Sequence, residues 1–464
     1  MEQTEARPAS QIAIADPIQQ VLARMAVGEW KQLNDPRKTL KDGAGGDAHF
    51  TRAVYDAGGA FASDAHALHY VTGDYPADFR GIMIYSGGTY DTRRHGIRII
   101  GGGHSNGASN IILAFDVLGA CQTLIARSGN PRLAPQSWEP YSDPNPLSAV
   151  DPPGQHGRNR HPNWPELPYY RQPSPDLRWP QPVTRNILGP KGNCGPYALH
   201  TYSAVAYDAV HDCIWVCGGS VGSTGQGGID PRATWRIDHA DRAWHMTMNA
   251  GGGGNQAAIL MAPDGRGTHF FHTNNATRHW AYDIAQDRSR LTGEQGTAND
   301  GSNGGAPMLI EGLTEPGHWD IIRYPTGRDF KPRFNCHPRQ WPLPRVAQPG
   351  MLVPANRQTP YVGATPAFGE NSGYVYVPER RLIYAITDLK GGIQTIDPFQ
   401  GRETGQSQWA VANVPTSGDL PNAGDPNGDL QTGFNNRVTY LPPPYGALVV
   451  TMNWSRGDVY LIRL

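Results

Sequence analysis

Two stretches of the chain, YSGGTYD at 85–91 and YSAVAYD at 202–208, align position by position. Tyr85 and Tyr202, Ser86 and Ser203, Tyr90 and Tyr207, and Asp91 and Asp208 correspond. Beyond each Asp comes a glycine pair at the same offset, Gly101-Gly102 and Gly218-Gly219. A third stretch, FTRAVYD at 50–56, keeps the aromatic, the hydroxyl and the Tyr-Asp but not the glycines. Self-similarity of this kind constrains the fold more than any other feature. A repeated unit too small to bury its own apolar faces must stack against its copies.

Each unit reads as short strands joined by tight turns. The first strand ends at Tyr-Asp, where the carboxylate can accept hydrogen bonds from the turn that follows, TRRHG or AVHD. The second strand, IRII or CIWV, is almost wholly apolar, as expected of a strand buried on both faces. After the glycine pair, a third strand is expected over 110–117 and 233–239, and a fourth over 122–128 and 243–249. The triple glycine 101–103 opens no helix, so it does not read as a phosphate-binding loop. Four short strands in about 45–50 residues is the pattern of a propeller blade. The fold class is therefore all-β, a single closed β-propeller of about seven four-stranded blades, with six the alternative. Looser units lie at 256–284, 372–398 and 435–464, with another around 318–325 and the first copy at 50–79.

These glycine-paired units resemble the kelch and galactose-oxidase-type β-propellers, most clearly over 82–128 and 199–249. The resemblance implies a ring in which the N-terminal strand completes the last blade. GEWKQLN at 28–34 is the expected partner of the C-terminal strand near 458–464. Residues 1–27 read as an extension and 28–464 as the propeller. Within the extension, 16–26 reads as a short helix, with Asp16 at its N-cap, Pro17 in its first turn, and Ile18, Val21, Leu22 and Met25 on one face. No set of copper ligands can be carried over from galactose oxidase, and no cofactor is expected.

Tyr85 and Tyr202 stand 117 residues apart, more than one blade requires. The excess lies in a Pro-rich segment, about 129–190, which holds Trp138, Trp164, Trp179 and several tyrosines. It reads as an ordered arm packed by its aromatic rings. Glycine (56) and proline (41) together exceed a fifth of the 464 residues, which suits turns and short strands and not long helices. The formal net charge of −1, with no basic block, argues against nucleic acid. No apolar run is long enough to span a membrane, and the first twenty residues lack the features of a secretion signal. A cytoplasmic setting or a place in a virion-like assembly is the expectation. The five cysteines form no C-x-x-C pair and read as free thiols.

The sixteen histidines show no zinc spacing, so no metal site is expected. Two function classes remain. In the first, the protein is a non-catalytic binding or structural module for surface glycans, proteins or other subunits of a particle such as a phage appendage. Its candidate contacts are Trp138, Arg158, Arg160, Trp164, Trp179 and Trp280. In the second, the likeness to propeller-fold polysaccharide lyases implies β-elimination on uronate glycans. His49, His104, His200 and Tyr202 would be the acid/base candidates, with Arg158 or Arg160 at the carboxylate. Tyr202 shares its repeat position with Tyr85 and Phe50, which favours packing over catalysis there and tips the reading towards the binding module.

Overall fold

The computed structural model describes residues 16–34, 86–100, 112–133, 138–140, 201, 203–217, 234–240, 244–247, 258–261, 267–271, 276–284, 288–296, 307–313, 319–323, 331–336, 344–345, 361–368, 372–387, 391–400, 409–421, 434, 437–452 and 457–464. They are mostly β, with few helices, and form six small sheets. None of their helices is long and apolar enough to cross a membrane.

The described chain begins with helix α1 (Pro17–Leu22) and strand β1 (Glu29–Gln32). The first sheet follows as β2 (Gly87–Asp91), β3 (Gly96–Ile100), β4 (Leu113–Asp116) and β5 (Glu139–Pro140), with helix α2 (Val117–Arg127) between its last two strands. The second is β6 (Val205–Asp208), β7 (Cys213–Cys217), β8 (Thr234–Asp238) and β9 (Trp244–Thr247). The third is β10 (Ala258–Met261), β11 (Gly267–Phe271), β12 (Ala276–Asp283) and β13 (Arg288–Gly296). The fourth is β14 (Pro307–Glu311), β15 (Trp319–Arg323), β16 (Lys331–Cys336) and β17 (Pro344–Arg345).

The fifth sheet contains β18 (Tyr361–Gly363), β19 (Gly373–Val377), β20 (Leu382–Ile386), β21 (Ile393–Asp397) and β22 (Trp409–Val414), with β18 lying parallel along the outer edge of β22. The sixth contains β23 (Ser417–Gly418), β24 (Val438–Leu441), β25 (Ala447–Thr451) and β26 (Val459–Arg463). Here β1 inserts between β26 and β23, so the sixth sheet is completed from the other end of the chain. Trp30 faces Ile462, Lys31 faces Leu461 and Gln32 faces Tyr460, which is the pairing expected between 28–34 and 458–464.

The units repeat in detail. Second strands β3, β7 and β25 are buried along their whole length. In four sheets the turn before the second strand ends in a left-handed residue, at His95 (φ 48°), Asp212 (φ 53°), Arg381 (φ 55°) and Gly446 (φ 58°). The next-to-last residue of the first strand is a tyrosine in four sheets: Tyr90, Tyr207, Tyr376 and Tyr440. First strands of consecutive sheets lie side by side, from β2 through β6, β10, β14 and β19 to β24.

The sixth sheet in turn meets the first. Arg437, nearly wholly buried, donates to the carbonyls of Ser86 and Met452. Burial lowers its guanidinium to about 9, which still leaves it charged at neutral pH. A Cβ on Gly88 would stand 2.9 Å from Arg437 Cγ and 2.8 Å from Ile99 Cδ1, so this close approach needs glycine. The core at this seam unites Ile97, Phe115, Val449 and Leu461 with Ile18, Leu22 and Met25 of the α1 region. α1 is capped by Asp16 as expected, its carboxylate accepting from Ile18 N at 2.7 Å.

One expectation is overturned locally. Residues 122–128 form no strand; 122–127 belong to α2 and Ser128 is its C-cap, while Asp116 caps its start by accepting from Gly119 N at 2.9 Å. Val117, Ala120 and Cys121 face the core at helical spacing, and the fourth strand comes later, at Glu139–Pro140. A seventh sheet from the copy at 50–79, the glycine pairs 101–102 and 218–219, and most of the segment 129–190 lie outside the described residues. Cys121, Cys213 and Cys217 are free and buried, with burial pushing the Cys121 thiol up to about 12.

Trp30 is fully buried and packs edge-on to Tyr460, with ring centroids 5.5 Å apart. Trp30→Ala is expected to cost about 3–5 kcal/mol, as a large core truncation does. Exposed Val27→Ser in the same segment should stay within about 0.5 kcal/mol. Equilibrium denaturation of both variants checks this, and equal midpoints would mean that β1 does not hold the sixth sheet.

Candidate functional site

The repeated Tyr-Asp dipeptide points its two side chains to opposite faces of the first strand. Tyr90 reaches back to the sixth sheet: its hydroxyl is 3.1 Å from His95 Nδ1, His95 Nε2 is 3.4 Å from the Tyr445 hydroxyl, and that hydroxyl donates to Asp16 at 2.8 Å. Asp91 caps its own turn, accepting from Arg93 N and Arg94 N at 3.0 Å each. Asp208 does the same for Val210 N (2.9 Å) and His211 N (3.0 Å). The turn-capping role read from the repeat is present in both units.

Between the first and second sheets these turns build a charged cluster. Arg94 grips Asp212 through both guanidinium nitrogens at 2.7 Å each, while its Nη1 also lies 3.2 Å from Asp91 Oδ2. Arg98 Nη2 approaches the same Asp91 oxygen at 3.6 Å, and His239 Nε2 lies 3.4 Å from it. The Tyr207 hydroxyl donates to Asp212 Oδ1 at 2.9 Å, and the Tyr207 and His239 rings meet edge to face. Two backbone bonds complete the group: His239 N to the Asp212 carbonyl, and Tyr207 N across the seam to Thr89 Oγ1 at 2.8 Å.

The electrostatics follow from this geometry. The Arg94 fork holds the Asp212 carboxyl far below its ordinary range, and Asp212 in return raises Arg94. Burial, reinforced by the bond to Asp212, pushes the Tyr207 phenol well up. Burial lowers the His239 imidazole against the opposing pull of Asp91. Ligand atoms of Asp91, Asp212 and His239 lie within 4.8 Å of one another, a donor set of metal-binding type. The cation that bridges the two carboxylates, however, is Arg94 itself. The cluster is chemically a clamp between sheets, its charges compensated from within.

Sequence reading located Asp91 and Asp208 as turn caps but missed Arg94, Asp212, His211 and His239 as a group. The available signal was that Arg94 and His211 occupy one repeat position, three after the repeat Asp. His49, His104, His200, Tyr202, Arg158, Arg160, Trp164 and Trp179 lie outside the described residues. Trp280 belongs to β12, opposite Phe270 and Leu291. Trp138 is 6% exposed, donates its indole N–H to the Gly457 carbonyl at 2.9 Å and packs on Phe115. It thereby fastens the start of the Pro-rich segment to the first and sixth sheets. Thr201 Oγ1 accepts from Gly87 N at 2.6 Å and donates to the Ile100 carbonyl. Thr201 neighbours His200 and Tyr202 in the chain, and Ile100 stands four residues before His104.

No protein-family model matches the chain, and neither does the sequence of any curated protein. Among solved structures, hydrazine synthase of Kuenenia stuttgartiensis is similar at 11% identity over 56% of this chain and 70% of that one, with a TM-score of 0.33. A Bacteroides thetaiotaomicron protein of unknown function is similar at 13% identity over 56% of this chain and 58% of that one, with a TM-score of 0.31. An auxiliary nutrient binding protein of the same organism is similar at 12% identity over 39% and 44%, with a TM-score of 0.26.

Asp91 is fully buried, so Asp91→Ala is expected to cost about 3–5 kcal/mol by stranding its donors and Arg98. Arg94 is 42% exposed, and Arg94→Met should cost only about 1 kcal/mol. A double-mutant cycle of Arg94→Met with Asp212→Asn checks the clamp. A coupling energy near zero would mean that the fork adds nothing to the seam.

Proposed function

We propose that the six sheets close into one kelch-like propeller ring that serves as a rigid, non-catalytic binding scaffold for carbohydrate. The observation that carries this reading is a division between the two ends of the sheets. At the end formed by the turns between first and second strands, Asp91, Arg94, Asp208, His211, Asp212 and His239 are engaged with their own turns and with neighbouring sheets. The antiparallel pairing puts the start of each first strand and the close of each second strand at the opposite end. The segments bearing His49, His104, His200 and the Arg- and Trp-rich 141–200 join the strands there. Stacking on aromatic rings and hydrogen bonding to Arg suit sugar ligands at that end.

Closure with six blades draws support from the facing rule of the repeat tyrosines. Tyr207 donates its amide to Thr89 of the first sheet, Glu379 of the fifth sheet helps raise the Tyr440 phenol, and Tyr90 is linked through His95 to Tyr445 of the sixth, so each relates to the sheet that precedes it in one cycle. The bond from Arg437 to the Ser86 carbonyl, which joins the sixth sheet directly to the first, supports the same reading.

A second reading, a uronate-glycan lyase, is favoured by Thr201 alone. It bonds to Ile100, and in sequence it stands next to His200 and Tyr202 while Ile100 stands four residues before His104; a pair of histidines could serve as base and acid. A panel of neutral and acidic polysaccharides, scored for binding and for unsaturated uronate product, separates the two. Retention without product, weakened by Trp164→Ala or Trp280→Ala but not by His104→Ala, is the expected result. Turnover that His104→Ala abolishes would replace the scaffold reading with the lyase.

A further inference from the structure

The cluster joining the first two sheets encloses an imidazole, that of His239. Its side chain is 1% exposed, and the groups around it can be named from both elements that pack on it. From the first sheet come Asp91, Arg94 and Arg98. From its own sheet come Asp212 and Tyr207, with Arg93 of the first sheet 3.7 Å from the outer oxygen of Asp212. With the imidazole neutral, two carboxylates, Asp91 and Asp212, balance two guanidinium groups, Arg94 and Arg98. A proton on His239 adds a further cation beside Arg94 and Arg98, where the described carboxylates are those of Asp91 and Asp212.

Asp91 is poorly placed to absorb that charge. Its Oδ1 already caps two backbone amides, and its Oδ2 faces both Arg94 and Arg98. Asp212 is held in the Arg94 fork. His239 is also bonded through its backbone to the Asp212 carbonyl, so any shift of the ring to escape its cationic neighbours pulls on the turn that Arg94 grips.

We infer that His239 makes the seam between the first and second sheets a pH-sensitive latch, closed with a neutral imidazole and loosened when it takes up a proton. The sign agrees with the burial-lowered value of the group. A histidine whose folded value lies below the ordinary 6.5 binds fewer protons folded than unfolded. Its contribution is therefore whole above about 6.5 and lost as the pH falls from there towards the folded value. Asp212 stays ionised throughout that window, because its own carboxyl is held far lower. The loosening therefore belongs to the imidazole and not to the acid fork.

The Tyr207 amide, which donates across the seam to Thr89 Oγ1, reports the latch directly. Its hydrogen-exchange protection in the full chain, corrected for the intrinsic pH dependence of exchange, is expected to drop between about pH 7.5 and about pH 5.5, by at most about tenfold per pH unit. Amides of the β25–β26 ladder in the sixth sheet should hold their protection over the same range. His239→Gln, which cannot be protonated, should abolish the Tyr207 response, while His211→Gln on the neighbouring turn should leave it. Unchanged protection at Tyr207 would overturn the latch. Equal loss at Tyr207 and in the β25–β26 ladder would overturn it too, and that comparison needs only the unaltered protein. A response that persists in folded His239→Gln would also refute it.

Discussion

A four-stranded sheet whose second strand is apolar on both sides cannot stand alone, and this constraint governs the whole molecule. β3, β7 and β25 bury every residue they contain, so each sheet must be covered on both faces by other sheets. Burial of each large apolar side chain is worth roughly 1.5–3 kcal/mol, and an uncovered face would forfeit several at once. The first and last parts of the chain are drawn together for the same reason. The entropic cost of closing so long a loop grows only logarithmically with its length, whereas the covering of two faces is a gain in proportion to area. β1 on β26, the α1 region in the first sheet's core and Arg437 on Ser86 are three separate contacts that hold the two parts together.

How the faces are joined varies with a few side chains at fixed repeat positions. The seam from the sixth sheet to the first carries an apolar core plus the hydroxyl–imidazole chain from Tyr90 through His95 and Tyr445 to Asp16. In that chain the Tyr445 hydroxyl donates to Asp16 and can accept from His95 Nε2–H, and His95 Nδ1 can accept from Tyr90. A neutral imidazole satisfies every member. Left-handed His95 is the residue that makes this reach possible, since its turn closes one residue before the second strand. The same turn position holds Asp212 in the second sheet, where the side chain reaches the first sheet's arginine instead.

Much of this was legible in the sequence because local chemistry and the repeat agree. The Asp caps, the wholly apolar second strands, the capped α1 and the pairing of 28–34 with the C-terminal strand all rest on short-range patterns or on the need to cover an edge. Helix α2 was not legible as a helix. Its N-cap, Asp116, ends a strand, and the segment 122–128 stands where the repeat calls for a fourth strand. The helical spacing of Val117, Ala120, Cys121 and Leu124 was therefore overridden by the repeat. The third and fourth copies of the tyrosine, Tyr376 and Tyr440, were hidden because Val377 and Leu441 replace the following Asp. The clamp was invisible for a different reason. Its members, Arg94, Asp212 and His239, come from two units, and only the packing of one sheet on the next brings them together.

A single repeat position shows how small a sequence difference sets the character of a seam. Three residues after the repeat Asp stand Arg94 in the first unit and His211 in the second. Arg94 extends forward onto Asp212 of the next sheet, whereas His211 Nδ1 stays on its own Asp208 at 2.6 Å. Four positions further on, Arg98 approaches Asp91, and its counterpart Trp215 donates its indole N–H to Asp208 at 3.3 Å. The first unit thus exports charge to its neighbour, while the second engages its carboxylate with its own side chains. It then offers the third sheet an apolar surface, with Trp215 edge-on to Tyr282 and Ala206, Cys217 and Ile259 alongside. Apolar contact is indifferent to protons, and a charged clamp is not. The ring proposed above would therefore respond to charge at the seam between its first two units. Those two units are also the pair joined through the Trp- and Arg-rich connection that leaves β5 and returns at Thr201, so the segment singled out by its composition begins and ends at the first sheet, beside the seam that carries the Arg94–Asp212 clamp.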